Sequence, residues 1–271
     1  MGAIQQSLKR ARALRPSTIR QQAHRPFRLE LLAADGDDHQ ALCRVFIPDG
    51  LAGPARAQAL AHLASSAAPD PAALRVRSPR VAAPALATLV AVDGRDPEPG
   101  LLALLRACPE HRLALARVFP PFRPLLAREL IHAVAARNAA IAAVSALPDV
   151  IPTPLSLALA LGEMGSDTVL LTANQIGLCF QLAALRDHDV GWRAQLGPIA
   201  GILAGSLGWR TLARELVGLI PAGVGLAAKS AIAYSGTVAV GRTLCRVAAD
   251  STTSPGPLRP RPFRRQLASR P

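Results

Sequence analysis

The centre of this chain, Asn138–Leu244, is rich in Ala, Leu, Ile, Val and Gly and is divided by proline and glycine. Apolar residues make up 50% of the 271 residues, whereas aromatic residues make up only 3%. A core built mainly from Ala, Leu, Val and Gly suits helices that approach one another closely. We therefore expect a mainly α-helical fold with a hydrophobic helical bundle in this region.

Prolines and glycines divide this region into separate predicted helices. A long helix is expected from about Leu125 to Leu147, because Pro148 lacks a backbone donor and restricts its predecessor. The segment Gly165–Asp167 is typical of a turn that leads into an N-cap, so the next helix is expected over Thr168–Leu185. A last helix is expected over about Ala227–Leu244.

The first 121 residues have a different pattern, which predicts a small α/β unit ahead of the bundle. Phe27–Ala33 alternates as a strand does, and Ala85–Val92 is a short apolar run that ends at Asp93-Gly94, a turn signal. Leu101–Arg106 is expected to form a short helix. The predicted divisions are a basic tail over 1–26, the α/β unit over 27–121, the helical domain over 122–246 and a disordered Pro/Arg-rich tail over 247–271.

Polar residues recur along one face of the helix predicted over Thr168–Leu185. Asp167, Asn174 and Gln181 are seven residues apart and therefore share one stripe of the helix surface. These side chains would bond to a neighbouring helix or face solvent, or else they would form part of an ion or proton path.

A glycine repeat follows this helix. Gly197, Gly201 and Gly205 are four residues apart, so one helix face has no side chains and another helix could approach it closely. We expect these three glycines to be helix-contact positions through which the bundle packs. Separately, the sequence leaves open a homo-oligomer.

Positive charge is concentrated at the two ends, which have no acidic residues, and it accounts for most of the net charge of +13. Next to a hydrophobic helical region, anionic lipid headgroups are the partner that such ends favour, although a solvated tail has the same composition. A specific nucleic-acid partner is not expected, because aromatic interleaving and finger spacing are missing. We expect a protein associated with the cytoplasmic membrane, with both ends cytoplasmic, and leave open whether its helices span the bilayer. The basic residues at the ends are Lys9, Arg10, Arg12, Arg15, Arg20, Arg25, Arg28, Arg259, Arg261, Arg264, Arg265 and Arg270.

No complete active-site motif is present, so the sequence predicts no catalytic residue, cofactor or metal. The four cysteines are isolated from one another and form no Cys-x-x-Cys motif, so neither a zinc site nor a disulfide framework is indicated. Residues 223–230 resemble a phosphate-binding loop, but Ala228 replaces the glycine that precedes Lys229. The alternative to a non-enzymatic protein is a degenerate or permuted nucleotide-binding, GTPase-like enzyme that uses Asp93 and Lys229.

Landmarks of the helical half resemble a family known as domain of unknown function 697, a helical region often found beside or fused to a small GTPase domain. The resemblance covers about Phe122–Thr243, although this chain has Ala173 where many members have lysine. It implies a membrane-associated accessory module of a GTPase system, without catalytic activity of its own. The residues that carry it are Arg137-Asn138, Leu147-Pro148, Ile151-Pro152, Asp167, Leu171–Gln175, Ala213–Glu215, Ile220-Pro221, Lys229, Ala233–Thr237 and Gly241.

Overall fold

The computed structural model describes residues 16–64, 74–82, 90–145, 154–202, 204 and 225–250. In these ranges the protein is mainly helical and contains one small parallel β-sheet, which confirms the coarse fold class predicted from the sequence. The elements in chain order are α1 (Pro16–Ala23), β1 (Leu29–Leu32), α2 (Gly36–Phe46), α3 (Gly53–His62), β2 (Leu63–Ala64), β3 (Leu74–Arg77), β4 (Val90–Ala91), α4 (Glu98–Ala107), α5 (Arg112–Val118), α6 (Phe122–Ser145), α7 (Pro154–Leu185), α8 (196–202) and α9 (Gly225–Asp250).

The sheet consists of four short strands in the order β2-β1-β3-β4, and every neighbouring pair is parallel. Strands β1 and β4 lie inside the two segments that alternation and apolarity predicted. Glu30 and Arg75 occupy the same register of neighbouring strands, and their side chains form an ion pair at 2.9 Å. Because both side chains are largely buried, this pair reinforces the register of the two central strands.

Helix α4 packs directly on the edge strand β4. Gly100 lies in its first turn, and a Cβ at this position would be 2.5 Å from the carbonyl oxygen of Ala91. Only glycine allows the helix to approach the strand this closely. The short helix predicted over Leu101–Arg106 is thus confirmed with three more residues at its start and one at its end.

Among the helices that the structure describes, α6 and α9 form the most extensive pair. They run antiparallel, since Ile131 packs beside Gly241 whereas the later residue Asn138 meets the earlier residue Thr237. Helix α6 begins at Phe122, three residues before the prediction, because Pro124 is tolerated in a first turn where the missing N–H has no intrahelical partner.

The predicted turn at Gly165–Asp167 is wrong, since α7 runs from Pro154 to Leu185 without interruption. Asp167 therefore lies inside the helix and is not its N-cap. A glycine inside a helix costs only about 1 kcal/mol relative to alanine, a penalty that the remainder of a 32-residue helix offsets. Helix α7 ends instead at a left-handed residue, Asp187 with φ 59°, and the N–H of His188 bonds to the carbonyl of Ala183.

One hydrophobic core extends from α1 to α9 and crosses the predicted boundary at residues 121 and 122. Helix α1 belongs to this core, with Ile19 and Ala23 buried, so residues 16–23 are not part of a basic tail as predicted. Arg20 of this helix also bonds to the carbonyl of Val190 and pairs with Asp189 at 3.4 Å. Within the described ranges, no helix has both the length and the apolarity needed to cross a bilayer.

Candidate anion-binding groove

Three neutral polar side chains meet where α6, α7 and α9 pack together. Asn174 Nδ2 donates to Asn138 Oδ1 at 2.8 Å, and Asn138 Nδ2 donates to Thr237 Oγ1 at 2.9 Å. The Thr237 hydroxyl in turn donates to the carbonyl of Ala233 at 2.8 Å. All three side chains are buried, and we name them the buried polar cluster. Because each member lies on a different helix, the cluster fixes the three helices relative to one another.

The polar stripe predicted on α7 is only partly visible in this arrangement. Asn174 bonds to a neighbouring helix, which is one of the alternatives that the sequence left open. Gln181 is half-buried, and the side chain of Asp167 lies outside the described residues. Sequence reasoning missed the partners Asn138 and Thr237, although both belong to the residues that carry the family resemblance.

Further along the same three helices, the surface opens into a groove of about 450 Å³. Buried apolar side chains form its floor, among them Ile131, Leu182 and Leu185. His132 also contributes to the lining, and its Nδ1 lies 2.7 Å from the hydroxyl of Tyr234 on α9. Five arginines complete the wall of what we name the arginine groove: Arg123, Arg128, Arg186, Arg242 and Arg246.

The positive charge of the arginine groove is poorly balanced. None of its described lining residues is Asp or Glu. Arg128 pairs with Glu98 at 3.0 Å, but both side chains are more than half exposed, so solvent weakens the pair. In the described parts of the chain, Arg186, Arg242 and Arg246 have no carboxylate within ion-pair distance. An anion in the groove would therefore find guanidinium groups that are not already neutralised.

Arg123 shows that these charges influence one another. Its Nε donates to the carbonyl of Ala116 at 3.1 Å and its Nη2 to the carbonyl of Arg117 at 2.9 Å, so the side chain is held in place. Burial lowers the pKa of Arg123, the nearby positive charge of Arg186 lowers it further, and the carboxylate of Asp187 acts in the opposite direction. The fixed guanidinium group of Arg123 and the charge of Arg186 thus repel each other at the groove, and a bound anion would relieve that repulsion.

A second concave region, about 750 Å³, lies at the carboxyl end of β1. This is the edge of a parallel sheet where phosphate ligands commonly bind. Here, however, Asp35 accepts the N–H of Asp38 at 2.8 Å, and Asp38 accepts the N–H of Ala34 at 2.9 Å and the hydroxyl of Ser78 at 2.8 Å. The Ala34 bond is the main cause of a lowered Asp38 pKa. The chain's own carboxylates thus already bind two backbone N–H groups and one hydroxyl at this edge of the sheet.

The glycine repeat lies only partly within the described residues, so its expected helix contact stays a prediction. Gly197 and Gly201 are exposed, and a Cβ at either position would meet no described atom within 4 Å. Gly205 lies outside the described residues. The close helix approach is found instead at Gly241, where a Cβ would be 2.6 Å from Cγ1 of Ile131. The sequence signal that could have predicted this contact was Gly241 itself, a glycine inside the apolar pattern of the last predicted helix.

The two residues of the nucleotide-binding alternative lie in separate elements. Asp93 follows β4, and its carboxylate accepts the N–H of Arg95 at 2.9 Å. Lys229 lies in the first turns of α9, and Gly223 of the same motif is outside the described residues. The alternative stays a prediction, and saturable binding of a labelled GTP analogue that is lost on Lys229→Ala would establish it.

Metal ligands and reactive thiols do not gather in the described ranges. No group of three His, Cys, Asp or Glu side chains there could hold a metal ion. The four cysteines are free, and burial raises the pKa of Cys179 to about 11.

Comparison with known proteins returned no relatives. No family model matches the chain, and no curated protein or solved structure matches it. The resemblance to domain of unknown function 697 therefore stays a prediction.

Proposed function

We propose that this protein is a non-catalytic helical protein that associates with anionic membrane surfaces as an accessory module of a GTPase system. The observation that carries the membrane part is the arginine groove, in which several guanidinium groups face solvent without a carboxylate partner in the described parts of the chain. Arginine binds phosphate through two parallel hydrogen bonds, which suits it to lipid headgroups. The basic ends predicted from the sequence add attraction of the same sign.

The size of this attraction follows from the number of cations. A basic residue near an anionic leaflet contributes about 1 kcal/mol, so a handful of arginines gives a binding energy that salt reduces strongly. Binding of this kind requires no membrane-spanning helix. The hydrophobic helical bundle over 122–246 and the disordered basic ends, both predicted from the sequence, would strengthen it.

Vesicle co-sedimentation tests the membrane association. We expect the full chain to sediment with vesicles that contain phosphatidylglycerol and to remain in the supernatant with phosphatidylcholine alone. Replacing Arg242 and Arg246 together by glutamate should weaken binding at least tenfold, since each reversal loses an attraction of about 1 kcal/mol and adds a repulsion.

The matched control reverses two arginines elsewhere. Arg44 and Arg56 lie on α2 and α3, are exposed, and have no ion pair within the described parts of the chain. Arg44→Glu combined with Arg56→Glu changes the net charge equally and should retain most of the binding. If the full chain ignores anionic vesicles, or if both double variants weaken binding equally, the groove does not direct membrane association.

The GTPase part of the proposal is supported only by the family resemblance. Crosslinking in the native cell followed by mass spectrometry should recover a protein that contains the motif G-x-x-x-x-G-K-[ST]. If purified candidate GTPases then fail to bind the chain in both nucleotide states, this part of the proposal is wrong.

A further inference from the structure

We infer that the arginine groove binds one anionic amphiphile whose headgroup is a phosphate monoester and whose hydrocarbon chain lies on the apolar floor. This inference rests on the proposed function and deepens it, because it names the class of lipid that the groove selects. Two properties of the groove, its charge and its floor, point to the two halves of such a molecule.

The charge argument concerns the headgroup. Arg186, Arg242 and Arg246 face the groove without a carboxylate in the described parts of the chain, and Arg123 is fixed beside Arg186 by two bonds to backbone carbonyls. A phosphate monoester carries a charge of about −1.5 to −2 near neutral pH and presents three acceptor oxygens. It can therefore engage several guanidinium groups at once, whereas a diester headgroup offers a single charge and two free oxygens.

The floor argument concerns the chain. Ile131, Leu182 and Leu185 are buried beneath the arginines, and Val238 and Ala127 border them. Water still reaches the apolar groups at the border of the groove, which are Pro124, Ala127 and Val238. An inorganic anion would leave these border groups in contact with water, but a hydrocarbon chain would cover them and gain about 25 cal/mol for each Å² of apolar area removed from solvent. A chain with an anionic head satisfies both surfaces in one molecule.

The dimensions also favour a single amphiphile. The groove volume of about 450 Å³ falls within the range of about 300–1,000 Å³ that small-molecule sites have. An acidic helix from a protein partner has a diameter of about 10–12 Å and would fit only a few side chains into this space. The observations therefore favour a lipid over a peptide.

Calorimetric titration of the full chain with three probes tests the inference. Dodecyl phosphate, used below the concentration at which it forms micelles, has both the chain and the monoester. Dodecylphosphocholine keeps the chain but has no net charge, and inorganic phosphate has no chain. We expect saturable binding of one dodecyl phosphate per protein, at least tenfold tighter than either of the other two probes.

Two variants locate the binding. Arg242→Ala combined with Arg246→Ala should weaken dodecyl phosphate binding at least tenfold, whereas Arg44→Ala combined with Arg56→Ala should leave it unchanged. Ala127→Phe fills the floor without removing a charge, so it should weaken dodecyl phosphate binding and retain co-sedimentation with anionic vesicles. Ala136→Phe, at an exposed position of the same helix, is its control, and circular dichroism verifies that all variants fold.

The outcomes separate the inference from the proposed function. Equal affinity for inorganic phosphate would show that no chain is recognised, and equal affinity for dodecylphosphocholine would show that no charge is recognised; either result overturns the inference. Vesicle binding without dodecyl phosphate binding also overturns it but leaves the proposed function intact. An acidic helical peptide that binds more tightly than dodecyl phosphate would replace the lipid by a protein partner. Failure of both vesicle and probe binding removes both proposals.

Discussion

The buried polar cluster and the arginine groove are formed by the same three helices, yet their polar groups are in opposite situations. In the cluster, Asn138, Asn174 and Thr237 are neutral, buried and bonded to one another. In the groove, several guanidinium groups face solvent, and the charge on them has no counterpart among the lining residues that the structure describes. Paired polar groups hold an architecture together, whereas unpaired like charges destabilise it unless a ligand neutralises them.

This contrast predicts stability changes of opposite sign. Removing a polar group from the cluster should destabilise the fold, because its buried partners lose the hydrogen bonds that this group formed. Removing a charge from the groove should stabilise the free protein because repulsion is relieved, at the cost of anion binding.

The largest effect is expected at the centre of the cluster. Asn138→Ala removes two side-chain hydrogen bonds, so Asn174 Nδ2 loses its acceptor and Thr237 Oγ1 loses its donor inside the core. We therefore expect the free energy of unfolding to fall by about 3 kcal/mol. Urea unfolding followed by circular dichroism measures this change. Gln181→Ala, at a half-buried position of α7, should cost less than about 1 kcal/mol. If the free energy of unfolding fell equally in the two variants, the hydrogen bonds of the cluster would contribute no more to stability than an ordinary half-buried side chain.

A smaller loss of stability is expected from a substitution at the contact between α6 and α9. Gly241→Ala places a Cβ 2.6 Å from Cγ1 of Ile131, so the helices must separate and stability should fall by about 2 kcal/mol. The same substitution at Gly201, inside a helix, meets no atom of the described residues within 4 Å and should raise stability by about 0.5–1 kcal/mol. In a double-mutant cycle, adding Ile131→Ala to Gly241→Ala should make the total loss of stability smaller than the sum of the two single losses, because the shorter side chain makes room for the new Cβ. Additive losses would show that the two residues do not compete for this space.

Charge removal in the groove should act in the other direction. Arg242 and Arg246 are four residues apart on α9, a spacing at which like charges repel, so Arg242→Gln should stabilise the protein by about 0.5 kcal/mol at low ionic strength. The gain should disappear in 0.5 M salt, where the Debye length is only a few ångströms. Thermal unfolding of this variant and of Arg44→Gln measures the difference. A loss of stability on Arg242→Gln would contradict the view that the groove is strained by its own charge.

The smallest effect concerns two thiols near these helices. Cys179 is buried and its pKa is raised to about 11, so at pH 8 its thiolate fraction is about 100-fold below that of an ordinary thiol. Burial also raises the pKa of Cys245, but the charge of Arg186 lowers it and the side chain lines the groove. In single-cysteine variants, iodoacetamide should modify Cys245 faster than Cys179. A reversed order would mean that the groove is closed in solution.

Local patterns predicted the elements of this fold better than their contacts. The strand at Leu29–Leu32, the helix at Glu98–Ala107 and the last helix at Gly225–Asp250 all follow from apolar spacing and from proline or glycine nearby. The break at Gly165–Asp167 was wrong because local turn preference is weak beside the continuity of a long apolar helix. The role of α1 was missed because basic residues on either side of it dominate the composition of residues 1–26, although α1 itself contains one arginine, Arg20, and buries Ile19 and Ala23.

The candidate site was less predictable for a physical reason. Asn174 could be selected from its spacing, but Asn138 lies 36 residues before it. Thr237, the partner of Asn138, lies 99 residues after Asn138, so the proximity of the three residues depends on how three helices pack. The arginines of the groove come from α6, the end of α7 and the last turns of α9. No linear pattern connects them, so only the fold reveals that their charges converge.

The attachment of α1 has a consequence for how the chain is made. Arg20 and its partner Asp189 are 169 residues apart, so α1 leaves the ribosome long before the segment that it contacts has been synthesised. Until then Ile19 and Ala23 have no complete surface to cover them, and the nascent segment is open to chaperones and proteases. Slowing translation between these two positions should lower the yield of folded protein more than slowing it after residue 190.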